Sequence, residues 1–142
     1  MSDRELAGEL RAFRVLTCAI LLIPLVVGLV GAFGGLEGLA ALFAEDRRVE
    51  LAPAIRDHLR AVCWMFFGLV PLVGWTLVKP VERAMPFRIV VAVAIAAGVV
   101  RVIGAIVDGN PGLIAFVFAA MELGVLPVVL IWHSSIVRRL GA

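Results

Sequence analysis

Four long apolar runs alternate with short polar stretches along the chain, at about 13–33, 59–78, 87–107 and 113–133. Each comes close to the roughly 20 residues that carry a helix across a hydrocarbon core about 30 Å thick. Lys79-Pro80 and Met85-Pro86 separate the second run from the third, and Asp108-Gly109-Asn110-Pro111-Gly112 separates the third from the fourth. Connections this short make consecutive helices antiparallel neighbours. The pattern predicts an all-α fold, an integral membrane four-helix bundle, as a single transmembrane domain over residues 1–142.

The first connection, from 34 to 58, is longer than links in compact bundles usually are. Within it Leu36, Leu39, Ala40, Leu42 and Phe43 recur on one helical face, which predicts a short interfacial helix in the loop between helices 1 and 2. Such a helix either caps the bundle or faces a partner. Gly28, Gly31 and Gly34, then Gly68 and Gly74, and Gly98 and Gly104 offer small surfaces on which helices approach closely in lipid. None of these pairs stands four residues apart, so packing within the monomer is the expectation. Pro24, Pro71 and Pro127 fall inside the runs and predict kinks. No internal repeat aligns. The first run is laid out like a secretory signal, but Asp3, Glu5 and Glu9 make a poor positive region, so it is expected to stay as a helix.

Orientation follows from the basic residues. Arg4, Arg11, Arg14, Lys79, Arg83, Arg88, Arg138 and Arg139 fall on one side of the predicted topology, against Arg47, Arg48, Arg56 and Arg60 on the other. The richer side faces the cytoplasm, which places both termini there. With 63% hydrophobic and 17% charged residues, the composition is that of a membrane protein. A net charge of +2 without a basic tract gives nucleic acid nothing to bind to. Twelve of the 13 basic residues are Arg, Tyr is absent, and Ala, Val and Gly abound, as in a GC-rich bacterial genome. The expected location is therefore the bacterial inner (plasma) membrane, crossed several times. Cys18 and Cys63 fall near opposite faces of the bilayer and are expected to be free thiols.

Charges inside the runs are the sharpest signal. At 1.5 Å per residue, Arg101 lies roughly 10 Å below the outer end of helix 3, and Glu122 lies roughly 15 Å down helix 4. The difference in depth is within the reach of an arginine, so an Arg101–Glu122 ion pair is expected. Asp57, His58, Arg60 and Asp108 fall in the same outer half and extend the pair into a polar cluster. Two roles fit it: a structural pair that fixes helix register, or a hydrated site in which Arg101 and Arg60 contact a polar or anionic group.

Other chemistry finds little support. His58 and His133 stand at opposite ends of the bundle and cannot share a haem iron, and no Cys/His spacing resembles a metal site. His133, Ser134 and Ser135 read as polar residues at a helix end, and Trp64, Trp75 and Trp132 as interfacial anchors. There is no nucleophile elbow, phosphate loop or catalytic carboxylate pair, and the depth difference sets aside Glu122 with His58 as acid and base. No enzyme activity, cofactor or metal is expected.

The segments "DHLR", "FFGLVPLVGW", "RVIGAIVDGNPG" and "MELGVLPVVLIWH", between residues 57 and 133, resemble a family of small four-helix bacterial membrane proteins known as a domain of unknown function. Its signature is an Arg in helix 3, a Gly-Xaa-Pro turn and a Glu in helix 4. Here these are Arg101, Gly109 to Pro111 and Glu122, with Arg60 at a basic position that opens helix 2. The resemblance implies the four-helix bundle and no particular activity. The functional expectation is a non-enzymatic accessory subunit or small binding module. Its partners would be membrane lipids, a larger membrane complex or further copies of itself. The alternative is a small transporter or conduit for a polar solute.

Overall fold

The computed structural model describes residues 3–43, 52–109 and 113–141. Among them the chain is helical apart from turns: α1 (Asp3–Leu42), α2 (Pro53–Val78), α3 (Ala84–Asp108), α4 (Leu113–Ala120), a π-helical turn (Met121–Val125) and α5 (Leu126–Leu140). Four rods are long and apolar enough to cross a membrane: Arg4–Leu42, Pro53–Val78, Ala84–Val107 and Ala115–Leu140, the last running through α4, the π turn and α5. The protein is thus an all-α, multi-pass membrane protein.

The helices outrun the apolar segments that announce them. Hydropathy marks the part immersed in lipid, whereas the hydrogen-bonded ladder continues into polar sequence wherever the ends are satisfied. Glu5 suits the N-terminal end of α1, and Arg138 and Arg139 in the last turn of α5 suit a C-terminus, each sign opposing the helix dipole. Consequently His133, Ser134 and Ser135, expected at a helix end, lie inside α5.

Two compact units divide the chain: one of Leu16–Gly74, the other of Met1–Val15 with Trp75–Ala142. Within Leu16–Gly74, α1 and α2 run antiparallel and meet at glycines. A Cβ on Gly28 would lie 2.8 Å from the Phe67 nitrogen and 3.0 Å from the Cys63 carbonyl oxygen, and one on Gly31 would overlap the Cys63 sulfur. Cys63 is buried and Cys18 exposed, and both thiols are free. Gly35 takes φ 59°, ψ −147°, a backbone conformation open to glycine, and there the straight run of α1 breaks. The turns beyond it fold back. Gly38 lies against the Val30 carbonyl, and Leu39 reaches Gly31.

The glycine pattern of the sequence therefore needs correcting. Gly31 and Gly35 stand four residues apart, a spacing that the set Gly28, Gly31 and Gly34 does not contain. Gly34, Gly68, Gly74 and Gly104, also expected at close contacts, would carry a Cβ with no described atom within 4 Å beyond the adjoining residues and backbone of their own helix.

In the unit of both chain ends, α3 packs antiparallel to the α4–π–α5 rod. Its core is aromatic: Phe13, Phe87 and His133 are each 1% exposed, with Ile136, one turn after His133, fully buried. His133 stacks on Phe87 with ring centroids 4.1 Å apart, and Phe13 meets both Phe87 and Trp132 edge to face. The imidazole is a core ring and not a group at the membrane surface. Its ring nitrogens mark it as polar in the sequence, while the face it presents depends on what α3 and α1 bring to it.

Glycine at 109, with φ 71°, ends α3 in the left-handed conformation that lets a helix stop within one residue. Residues 110–112 of the expected turn lie outside the described residues. At the other end, Arg14 donates from Nε to the Leu77 carbonyl (3.0 Å) and from a terminal nitrogen to the Val78 carbonyl (3.2 Å). Arg83 donates to the Trp75 carbonyl (2.6 Å), its guanidinium 4.2 Å from the centre of the Trp75 ring. Two arginines thus satisfy carbonyls that the last turn of α2 leaves open.

Candidate polar site on helix 3 and the π turn

Arg101 stands seven residues before the end of α3, with apolar neighbours exposed on either side: Val100 is 68% and Ile103 55% exposed. In a lipid-facing helix such exposure is the expected state of valine and isoleucine, whereas an ionised side chain costs about 2.5–3.5 kcal/mol near the helix centre. The arginine is held by Glu122. Its Nε donates to Oε2 and a terminal nitrogen to Oε1, both at 3.1 Å, a two-pronged arrangement that suits the planar guanidinium and the planar carboxylate. The side chain of Glu122 is 10% exposed and that of Arg101 35%. The acid is enclosed and the base half-open.

Three local features bring these groups together. Gly98, one turn before Arg101, lets the backbone of the fourth rod come close: a Cβ there would lie 2.7 Å from Glu122 Cβ and 3.1 Å from Leu123 Cδ2. Phe118, one turn before Glu122, sets its ring 5.2 Å from the guanidinium carbon of Arg101. Glu122 itself is the buried residue of the π turn, where the Leu126 N–H donates to the Met121 carbonyl five residues back. Gly98 is visible in the sequence as a small residue. The π turn has no such signature, and Pro127 just after it reads in the sequence as an ordinary kink.

The remaining expected site residues are placed as follows. Asp57, His58 and Arg60 belong to the Leu16–Gly74 unit and are exposed on the first turns of α2. A Cβ on Gly35 would lie 3.4 Å from Arg60 Nε, so Arg60 lies over the break in α1. Asp108 closes α3, and its side chain lies outside the described residues. Among the described residues no three His, Cys, Asp or Glu side chains gather as a metal centre requires.

A second polar group escaped the sequence pattern. Glu9 accepts from Trp132 Nε1 (2.8 Å) and from both terminal nitrogens of Arg139, joining the first turns of α1 to α5. Trp132 is therefore more than an anchor at the interface. Its indole packs edge to face on Phe13 at 5.3 Å while its N–H is spent on Glu9. Residues 123 positions apart in the chain give no local signal of such a bond.

No curated protein and no solved structure matches this chain. A family described as a domain of unknown function, DUF4345, matches residues 12–133. That match takes in most of α1 and the link after it, and so reaches well beyond the 57–133 stretch that carries the resemblance in the sequence. It includes Arg101, Glu122 and the α1 glycines Gly28, Gly31 and Gly35, and the chain belongs to this family of unknown function, DUF4345.

Proposed function

We propose that this is a non-enzymatic protein of the bacterial inner membrane, an accessory subunit or small binding module, with Arg101 as its contact for a polar or anionic group. The observation that carries this is the asymmetry of the pair. Glu122 spends both oxygens on Arg101 and is enclosed, whereas Arg101 keeps about a third of its side chain exposed. A guanidinium has five N–H donors, and Glu122 takes two. Hydrocarbon offers the others nothing, so a phosphate or carbonyl oxygen of a lipid, or of a partner in the membrane, is the chemistry that fits. Glu122 in this reading keeps the arginine extended and in place. The excess of basic residues beside both termini supports a cytoplasmic location for them.

The test is lipid retention. Wild type and Arg101→Gln are purified in a gentle detergent, exchanged into mixed phosphatidylglycerol and phosphatidylcholine, and examined by native mass spectrometry. The wild type should hold the anionic lipid several-fold more than the variant. Equal retention by the two, or a bare wild-type monomer, sinks the binding role.

A further inference from the structure

We infer that Pro127 is the positioning residue of the Arg101–Glu122 pair, acting through the π turn between them. The inference rests on the pair itself and not on any ligand of Arg101.

In a regular α-helix the nitrogen of residue 127 would donate to the carbonyl of Leu123. Proline has no hydrogen to give, and its ring collides with that carbonyl. Just before the proline the rod takes one extra residue into the turn, and the Leu126 N–H reaches back five residues to Met121. On either side the backbone is ordinary: Ala120 has φ −61°, ψ −38°, and Leu126 has φ −64°, ψ −38°. The wide turn is thus confined to Met121–Val125, the segment just before the proline.

The extra residue has a geometric consequence. Each residue of an α-helix advances about 100° around the axis, the angle implied by 3.6 residues per turn. Inserting one residue at the π turn rotates everything before it by about that angle relative to α5. Here α5 is fixed independently, by His133 against Phe87 and by Trp132 and Arg139 on Glu9. The rotation therefore falls on α4 and the start of the turn, which carry Phe118 and Glu122. In the π register these two residues face Arg101, and Glu122 Cβ settles over Gly98. In the α register the same side chains would turn about a quarter of the way around the rod. Arg101 would then lose its carboxylate.

The wide turn also leaves the Glu122 carbonyl without its usual partners. Leu126 donates to Met121, and Pro127 has no N–H with which to replace it. Such a turn persists only where something compensates, and the two-pronged bond to Arg101 is the compensation that the structure provides. Proline and ion pair support one another.

The experiment is a double-mutant cycle run twice, in nanodiscs of zwitterionic lipid, with thermal unfolding as readout. In the native background, Glu122→Gln should lower Tm markedly, and Arg101→Gln should cancel most of that loss. In a Pro127→Ala background, Glu122→Gln should cost less than half as much, because the pair has already come apart. An undiminished cost there overturns the inference. A proline that merely stiffened the rod would shift every Tm equally and leave the coupling alone, so the cycle separates positioning from general structure. Should Pro127→Ala fail to accumulate, Pro127→Leu restores the same N–H and is judged by the same criterion. Lipid retention insensitive to Arg101→Gln would sink the binding role while leaving this result standing.

Discussion

The helices of the Leu16–Gly74 unit meet at glycines, whereas in the unit containing both chain ends the contact is made by charged and aromatic side chains, with one glycine, Gly98, to seat Glu122. Lipid tails are as apolar as leucine, so neither interface gains from hiding hydrocarbon, and each must find another source of attraction. At Gly28 and Gly31 the source is proximity. Removing the side chain on α1 lets backbone come against Phe67 and Cys63 and multiplies van der Waals contact. Between α3 and the fourth rod it is the exclusion of charge from hydrocarbon: Arg101 and Glu122 hold together because separating them leaves each alone. The glycine interface tolerates almost nothing larger. The charged one tolerates almost nothing unpaired.

The comparison is most severely tested at Gly28. Alanine there meets main-chain atoms at 2.8 and 3.0 Å, which cannot rotate away, and the expected loss is about 3 kcal/mol, the upper range for overpacking. Trimming Cys63 or Phe67 should not restore stability, and recovery by either would show that the helices are free to slide. Next in size is Glu122→Gln. Loss of a hydrogen-bonded charge is worth about 2 kcal/mol, and Arg101→Gln in the same molecule should recover most of it. Strictly additive effects in chemical denaturation would mean that the pair contributes nothing as a pair. Smallest is Gly31→Ala, about 1 kcal/mol as a mild overpacking, since the atoms in its way belong to side chains and not to the main chain: the Cys63 sulfur first, then Cys63 Cβ at 3.0 Å and Leu39 Cδ1 at 3.3 Å. Cys63→Ala, which removes the sulfur and keeps the Cβ, should relieve part of that loss. Rescue by shape at Gly31, rescue by charge at Glu122 and no rescue at Gly28 would together set the two interfaces apart.

The apolar runs by themselves determined that the protein is helical, with four helices long and apolar enough to cross a membrane, because a sum over some 20 residues is insensitive to where any single side chain points. Counting along two antiparallel helices was also enough to pair Arg101 with Glu122, since depth follows from helical rise alone. The pair is legible for the same reason that it is needed: in a long apolar stretch a charge stands out. Sequence could not reach what depends on rotation and on distant partners. The ends of α1 and α5, the burial of His133, the grip of Glu9 on Trp132 and Arg139, and the seating of Gly28 and Gly31 are all decided by which face each helix turns to its neighbour. Periodicity is a poor guide to that face when lipid and protein interior are equally apolar. The π turn belongs with these: proline announces a disturbance, but whether the rod kinks or takes in an extra residue is settled only once α5 is held from one side and Arg101 waits on the other.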